Sequence, residues 1–267
     1  MKTDLHCETL ILGGTAFACG MAARNPEKCL ILERGILLIP EFASALHPVT
    51  FSTPRTEAGK RICRDLERRG IVRGEKVHPP PLSDYFVHWM HQRKCRLLFN
   101  SELIELVREG DGLSAEIFCI DGLNSIHARR VIDTTAEGWR NRGREFIQEK
   151  ALCAAVCGRL SHLPAKGEMR CASFMPGSLP GELLLCVELP ADATWHEARL
   201  RLHDIFLHLQ KRNPYISLGG EASCMVYEYE DGGQLHRTTE DGILWIPSAQ
   251  YKDPVTAFEE GLQWRSA

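Results

Sequence analysis

Residues 8–34 of the sequence are ETLILGGTAFACGMAARNPEKCLILER. The apolar run 8–13 ends at glycine, which is typical of a buried strand. Small and apolar residues at 14–24 predict a helix, and Asn25-Pro26 would end it. A second apolar run, 28–33, ends on an acidic residue. Strand, tight turn, helix and strand form a βαβ unit, and since such crossovers are right-handed, we expect the two strands to be parallel.

The turn of this unit predicts a phosphate-binding site. A dinucleotide-binding turn is usually spelled G-x-G-x-x-G or A, because glycines let the backbone approach the pyrophosphate at a helix N-terminus. Here residues 13–18 are GGTAFA, so Thr15 replaces the middle glycine and Ala18 takes an allowed last position. Glu33 lies at the end of the second strand, where an acid accepts hydrogen bonds from ribose hydroxyls. The alternative is an α/β domain whose glycines only make a tight turn.

The rest of the chain predicts a mixed α/β protein. Helices are expected at 55–69, at 82–94 with Ser83 as N-cap, and as an amphipathic segment at 194–211. Glycine turns separate three expected strands of an antiparallel meander, and other runs are typical of single strands. The meander strands are 102–109, 115–120 and 125–128, and the single strands are 96–99, 130–133, 151–157, 182–189, 222–229 and 242–247. A last helix is expected over 253–264.

Composition narrows the class of protein. The chain has 267 residues and a net charge of −3, which gives no basic field for nucleic acid. No run reaches the roughly 18 apolar residues of a membrane span, and the N-terminus does not resemble a signal peptide. We therefore expect a cytoplasmic protein that binds neither nucleic acid nor membrane. Eleven cysteines without a CxxC pair indicate buried thiols rather than disulfides, and no metal site is expected.

Three regions of the chain, at its start, middle and end, resemble a known family. The segments GGTAFA and CLILERG are similar to the N-terminus of the FAD-dependent oxidoreductases with a glutathione-reductase-like FAD-binding domain, one subgroup of which spells the turn GGTPAG. Residues 128–138, ARRVIDTTAEG, resemble the second FAD motif, and 242–261 resemble the C-terminal flavin motif. The resemblance implies a discontinuous Rossmann-like FAD-binding domain, 1–138 and 241–267, with a three-stranded antiparallel crossover. Residues 139–240 would form a small α+β substrate or cap domain.

The resemblance also implies positions for the cofactor contacts. Gly13, Gly14, Thr15 and Ala16 would contact the pyrophosphate, Glu33 the ribose, Arg34 and Leu103 the adenosine, Thr135 and Ala136 the other side of the pyrophosphate, and Ser248, Ala249 and Asp253 the ribityl chain and flavin ring. Ala136 and Ser248 depart from the usual glycine and acid of the family.

Proton donors near a flavin are the remaining candidates for chemistry, since the flavin itself carries out the redox step. Tyr251 and Lys252 precede the last helix, and His47 follows the second strand. The main hypothesis is an FAD-dependent oxidoreductase acting on a small molecule. The alternatives are an FAD-fold binding or partner subunit that has lost catalysis, and an NAD-binding dehydrogenase. Whether the chain forms a homodimer or joins a partner stays open.

Overall fold

The computed structural model describes residues 4–47, 49–74, 76–158, 171–230 and 235–265. The strands are β1 Asp4–Leu12, β2 Cys29–Leu32, β3 Val72–Arg73, β4 Lys76–Val77, β5 Arg96–Leu98, β6 Glu102–Glu109, β7 Gly112–Cys119, β8 Gly122–Asp133, β9 Ile147–Gly158, β10 Ala172–Pro176, β11 Glu182–Pro190, β12 Ile216–Glu221, β13 Val226–Tyr229, β14 Arg237–Thr238 and β15 Leu244–Trp245. The α-helices are α1 Ala16–Arg24, α2 Pro40–Ala43, α3 Glu57–Arg68, α4 Pro81–Gln92, α5 Trp195–Arg212 and α6 Pro254–Gln263, and short 3-10 helices span Trp139–Asn141, Arg144–Phe146 and Ser248–Gln250.

The predicted βαβ unit is confirmed. β1 pairs in parallel with β2, and Ile11 lies opposite Ile31. Both strands are apolar because helices cover one face of the sheet and the crossover strands cover part of the other. Within the described ranges, the first sheet has the order β14-β15-β8-β1-β2-β5, and β7 and then β6 extend from β8. The predicted α/β class with a three-stranded antiparallel crossover is therefore present.

The last meander strand differs from its prediction. The expected strands 125–128 and 130–133 are one continuous strand, β8, whose first half pairs with β7. No turn-forming residue separates Ala128 from Arg130, and β1 supplies an unbroken partner up to Leu12 opposite Asp133. As a result, β8 connects the crossover directly to the centre of the sheet.

A helical layer covers the other face of the first sheet. α1 and α6 cross so closely that a Cβ on Gly20 would lie 2.0 Å from the Phe258 carbonyl oxygen. α4 begins one turn earlier than the N-cap prediction required. Ser83 is not the N-cap: it lies buried inside α4, and its hydroxyl accepts a hydrogen bond from Leu38 N–H.

A second, smaller sheet of five strands has the order β10-β11-β9-β12, with β13 also paired to β9. α5 packs on it through Leu202, Phe206 and Leu209. β10 and β12 were not predicted from the sequence. β14 lies within the expected substrate region but joins the first sheet through β15. Among the described residues, no helix has the length and apolarity required to cross a membrane.

Candidate functional site

The predicted phosphate-binding turn connects β1 to α1. Gly13 has φ +90°, a conformation that side chains disfavour, and a Cβ there would lie 2.9 Å from Thr135 Cγ2. A Cβ on Gly14 would lie 2.7 Å from Leu38 Cδ2 and 3.0 Å from Glu33 Oε2. Both positions therefore require glycine, the first for conformation and space and the second for space alone.

Thr15 fits where the usual pattern has a glycine. Its backbone is extended, with φ −80° and ψ 169°, so no left-handed conformation is needed. Its hydroxyl caps α1 by accepting from Ala18 N–H at 3.2 Å and donates to Thr134 Oγ1 at 2.8 Å. Through this hydrogen bond, Thr15 links the turn to Thr134, which directly follows β8.

Glu33 lies at the end of β2, as predicted, and is only 7% exposed. One carboxylate oxygen accepts from Gly14 N–H and the other from Gly35 N–H, each at 2.6 Å. Burial raises the pKa of Glu33, and these two backbone hydrogen bonds oppose the rise. The carboxylate is therefore held by donors on both oxygens at the side of the turn.

Glu41, on α2, is a second buried acid at the same turn. Its Oε1 accepts from Ala16 N–H at 2.9 Å and from the Ser248 hydroxyl at 2.7 Å. Its Oε2 is buried and has no hydrogen-bond partner among the described residues. Burial raises the pKa of Glu41 to about 7, although the hydrogen bonds from Ser248 and Ala16 partly offset the effect.

These groups surround a cleft of about 420 Å³ at the carboxyl ends of β1, β2 and β8. In doubly wound α/β folds, ligands bind at this edge of the sheet, and the volume is within the range of small-molecule sites. At the end of β8, Asp133 is fully buried and accepts from Thr135 and Trp139, while burial raises its pKa to about 6. The cleft wall thus contains several acids held by backbone donors.

The second sheet supplies the opposite wall. Glu137 follows β8 in the chain and forms an ion pair at 3.0 Å with Lys150 of β9, which is 2% exposed. Tyr227 of β13 donates to the same Glu137 oxygen at 3.4 Å, and burial raises the pKa of Tyr227. A buried lysine is rare unless it is paired. This cluster joins the two sheets beside the cleft.

Eight of the twelve predicted cofactor contacts line the cleft: Gly13, Thr15, Glu33, Arg34, Leu103, Thr135, Ala136 and Ala249. The remaining four, Gly14, Ala16, Ser248 and Asp253, do not line it. Gly14 and Ala16 donate their N–H groups to Glu33 and Glu41, and Ser248 donates to Glu41, so these three hold residues of the wall. Asp253 caps α6 by accepting from Val255 N–H.

The three candidate proton donors do not line the cleft. Tyr251 stacks on Phe17, with ring centroids 5.6 Å apart. His47 stacks on Phe42, and burial lowers the pKa of His47 to about 4. Lys252 is exposed. Instead, the structure brings Glu41, Glu137 and Tyr227 to the cleft, none of which was predicted as a site residue.

The sequence contained a signal for one of these three. Glu137 lies within the segment that resembles the second FAD motif, directly after Ala136. Glu41 lies in an irregular stretch, and only its apolar surroundings, IPEFA, hint at burial. In the described residues no group of three or more acidic, histidine or cysteine side chains is arranged to hold a metal ion.

The chain matches no protein-family model and no curated protein. It is similar to solved structures. Aklavinone-11 hydroxylase, in a ternary complex with FAD and aklavinone, is 14% identical with a TM-score of 0.61, and the match covers 97% of this chain and 61% of the hydroxylase. A geranylgeranyl bacteriochlorophyll reductase-like protein from Thermoplasma acidophilum is 13% identical with a TM-score of 0.63, covering 97% and 77%.

A third similar structure is the myxobacterial chondrochloren halogenase, a variant of FAD-dependent halogenases. It is 16% identical with a TM-score of 0.57, and the match covers 97% of this chain and 71% of the halogenase. Together these likenesses show that the chain shares the Rossmann-like fold of these proteins, with a small additional β-rich unit. The chain spans 61% of the length of the hydroxylase.

Proposed function

We propose that this chain binds FAD in the cleft and acts as an FAD-dependent oxidoreductase on a small molecule. The observation that carries the proposal is the convergence of the glycine turn, Glu33 and the end of β8 on one cleft. This is the edge at which the fold binds ligands. The hydroxylase crystallised with FAD and the FAD-dependent halogenase support the same cofactor for a chain of the same fold.

The adenosine half of FAD fits the described residues. Glu33 lines the cleft, where ribose hydroxyls could donate to its carboxylate. Leu103 is buried in the apolar cluster beneath the crossover and lines the cleft, and Arg34 pairs with Glu102 at the rim at 3.5 Å. An adenine ring would lie against this apolar wall, between Leu103 and the arginine.

The pyrophosphate fits the turn with one complication. Gly13 and Thr15 both line the cleft, so the turn faces it. However, Gly14, Ala16 and Phe17 donate their N–H groups to Glu33, Glu41 and Ser248. A phosphate at this helix N-terminus would therefore meet two carboxyl groups as well as the helix dipole.

Bound FAD would supply the electron transfer, and the chain would bind, orient and shield it. We assign the flavin end to the part of the cleft lined by Ala249, Met225 and Tyr227, where the first sheet meets the second. The second sheet, within 139–240, would then form the substrate side. Tyr227 and the Lys150–Glu137 pair replace Tyr251, Lys252 and His47 as the candidate proton-handling groups.

The absorption spectrum of the purified protein tests this proposal. A flavin spectrum in the isolated protein, or on titration with FAD, followed by bleaching with a reductant such as NADH or NADPH and recovery in air, would support an oxidoreductase. Tight FAD binding without reduction by any physiological donor would favour the partner subunit that has lost catalysis. Affinity for NAD in the absence of FAD affinity would overturn the proposal in favour of the NAD-binding dehydrogenase.

A further inference from the structure

Glu41 occupies the position at which the cofactor phosphates are expected to meet α1. Its Oε1 already accepts from Ala16 N–H, within the first turn of the helix, and the residue lines the cleft. An anion at a helix N-terminus is stabilised by the free N–H groups and the helix dipole. In this chain a carboxyl group of the protein uses that position, and a pyrophosphate would have to share it.

An ionised Glu41 and a pyrophosphate are poorly compatible in this position. Both groups only accept hydrogen bonds, and like charges at close range in a buried site repel strongly. Glu33, at the end of β2, adds a second carboxylate on the same turn. The largest influences on the pKa of Glu41 are burial, three hydrogen bonds and the neighbouring Glu33 carboxylate, and none of these is a cationic side chain.

A proton on Glu41 resolves the conflict. The buried Oε2 has no donor and no acceptor among the described residues, so a proton there would not disturb any existing contact. A protonated Oε2 is a donor, and a phosphate oxygen is a matching acceptor. Meanwhile, Oε1 keeps its hydrogen bonds with Ala16 and Ser248.

We propose, on the premise that the cleft binds FAD, that Glu41 is protonated in the bound state and that FAD binding above neutral pH takes up one proton from solvent. Protonation of Glu41 then increases the affinity for FAD, and bound FAD increases the affinity of Glu41 for the proton by the same factor. Glu41 is thus a positioning residue that makes cofactor loading depend on pH near neutrality.

The surroundings of Glu41 favour titration of its carboxyl group near neutral pH. Burial raises its pKa to about 7. The other titratable groups that face it are Glu33 directly after β2, Cys19 on α1, Cys224 before β13 and Tyr229 on β13. Burial raises the pKa of each, so the thiols and the phenol are neutral at pH 7. None of these groups stabilises an ionised Glu41 by charge.

The test is the dissociation constant of FAD between pH 6 and pH 8.5, a range in which the charge of FAD itself does not change. For a carboxyl that titrates near 7, affinity of the wild-type protein should fall on the order of 30-fold across the range. Calorimetry at pH 8.5 in two buffers of different ionisation enthalpy should record uptake of about one proton per FAD.

Glu41→Gln is the informative variant, because the amide is neutral, can still accept from Ala16 and Ser248, and offers N–H donors to a phosphate. Its FAD affinity should change less than about threefold over the same range and exceed that of the wild-type protein by about 10-fold or more at pH 8.5. Glu188→Gln, an exposed carboxyl on β11 away from the cleft, should behave like the wild-type protein.

The outcomes separate the two proposals. Wild-type protein that binds FAD with pH-independent affinity and no proton uptake would overturn the role of Glu41 and leave FAD binding intact. Absence of FAD binding at every pH, in the wild-type protein and in Glu41→Gln alike, would overturn the proposed function itself. Proton uptake is measured on the wild-type protein, so the test stands even if Glu41→Gln fails to fold.

Discussion

The end of β2 and the start of α2 each bring a buried glutamate to the same helix N-terminus, and the two differ in how they are satisfied. Glu33 has a backbone donor on each oxygen. Glu41 has two donors on Oε1 and none among the described residues on Oε2. A carboxylate with donors on both oxygens is suited to remain ionised, whereas one with an orphan buried oxygen is suited to carry a proton.

The contrast assigns the two acids opposite parts in binding a dinucleotide. The ionised Glu33 accepts hydrogen bonds, so it can bind the ribose hydroxyls, which donate them. Phosphate oxygens only accept hydrogen bonds, so Glu41 can bind them only when it is protonated and can donate. At alkaline pH, Glu41→Gln should therefore raise FAD affinity, whereas Glu33→Gln should lower it.

Gly14→Val should have the largest effect, because it would displace Glu33 from the turn. The first side-chain carbon would lie 2.7 Å from Leu38 and 3.0 Å from the Glu33 carboxylate, so valine would push the acid out of the turn. FAD affinity should fall more than about 100-fold, at least about 3 kcal/mol, by flavin absorbance titration. Gly220→Val, with open space around the glycine, is the matched control. A folded Gly14→Val protein with wild-type affinity would show that the phosphates bind elsewhere.

Glu41→Gln should stabilise the FAD-free protein at alkaline pH. Because the pKa of Glu41 is raised from 4.5 to about 7 in the folded state, its contribution to stability is fully present below pH 4.5 and is lost as pH rises through 7. The free energy of unfolding should therefore be about 3 kcal/mol lower at pH 8 than at low pH. Glutamine does not ionise, so the Glu41→Gln protein should not lose this stability.

Urea unfolding at pH 5 and pH 8 measures this difference. The stability of Glu41→Gln relative to the wild-type protein should increase between the two pH values, while Glu188→Gln should show no such change. An equal difference at both pH values would mean that Glu41 titrates normally and that its buried position does not perturb it.

Glu33→Gln should have the next largest effect. Glutamine offers one acceptor oxygen, so an amide N–H would face either Gly14 N–H or Gly35 N–H. Loss of a charged acceptor should weaken FAD binding by about 2 kcal/mol, roughly 30-fold, at pH 6.5 and pH 8.5 alike. Tighter binding at pH 8.5, as expected for Glu41→Gln, would show that the two acids are equivalent.

The comparison also shows which parts of the molecule the sequence could predict. The βαβ unit, the crossover and α5 follow from local periodicity, and Glu33 follows because its distance from Gly13 is fixed by strand and helix lengths. Two strands of the second sheet were missed. β10 is short, and β12 contains two glycines, Gly219 and Gly220, which weaken the strand pattern.

Glu41 and Tyr227 could not be placed from local patterns, because they reach the cleft only through tertiary packing. Glu41 depends on how α2 folds back on α1, and Tyr227 on how the second sheet docks against the end of β8. Conversely, Tyr251 and His47 have suitable chemistry, but aromatic stacking directs them into the helical layer. For these two residues, proximity in the chain to a motif does not give proximity to the cleft.

Ser248→Ala should have the smallest effect, and it tests whether the hydrogen bond from Ser248 influences the pKa of Glu41. The serine hydroxyl donates to Glu41 Oε1 and lowers its pKa, so its removal should raise the pKa of Glu41 further. The pH at which FAD affinity begins to fall should move upward by less than about one unit, as measured by FAD titrations at closely spaced pH values. A downward movement would contradict the assigned role of the hydroxyl.

We propose that the adenosine diphosphate half of FAD binds at the start of α1, between Glu33 and Glu41. The most direct test is FAD binding at pH 6.5, followed by flavin fluorescence in the presence of excess ADP or excess riboflavin. We predict saturable FAD binding that ADP displaces and riboflavin does not. Failure to bind FAD, or displacement by riboflavin but not by ADP, would show that the adenosine diphosphate half does not bind at the start of α1.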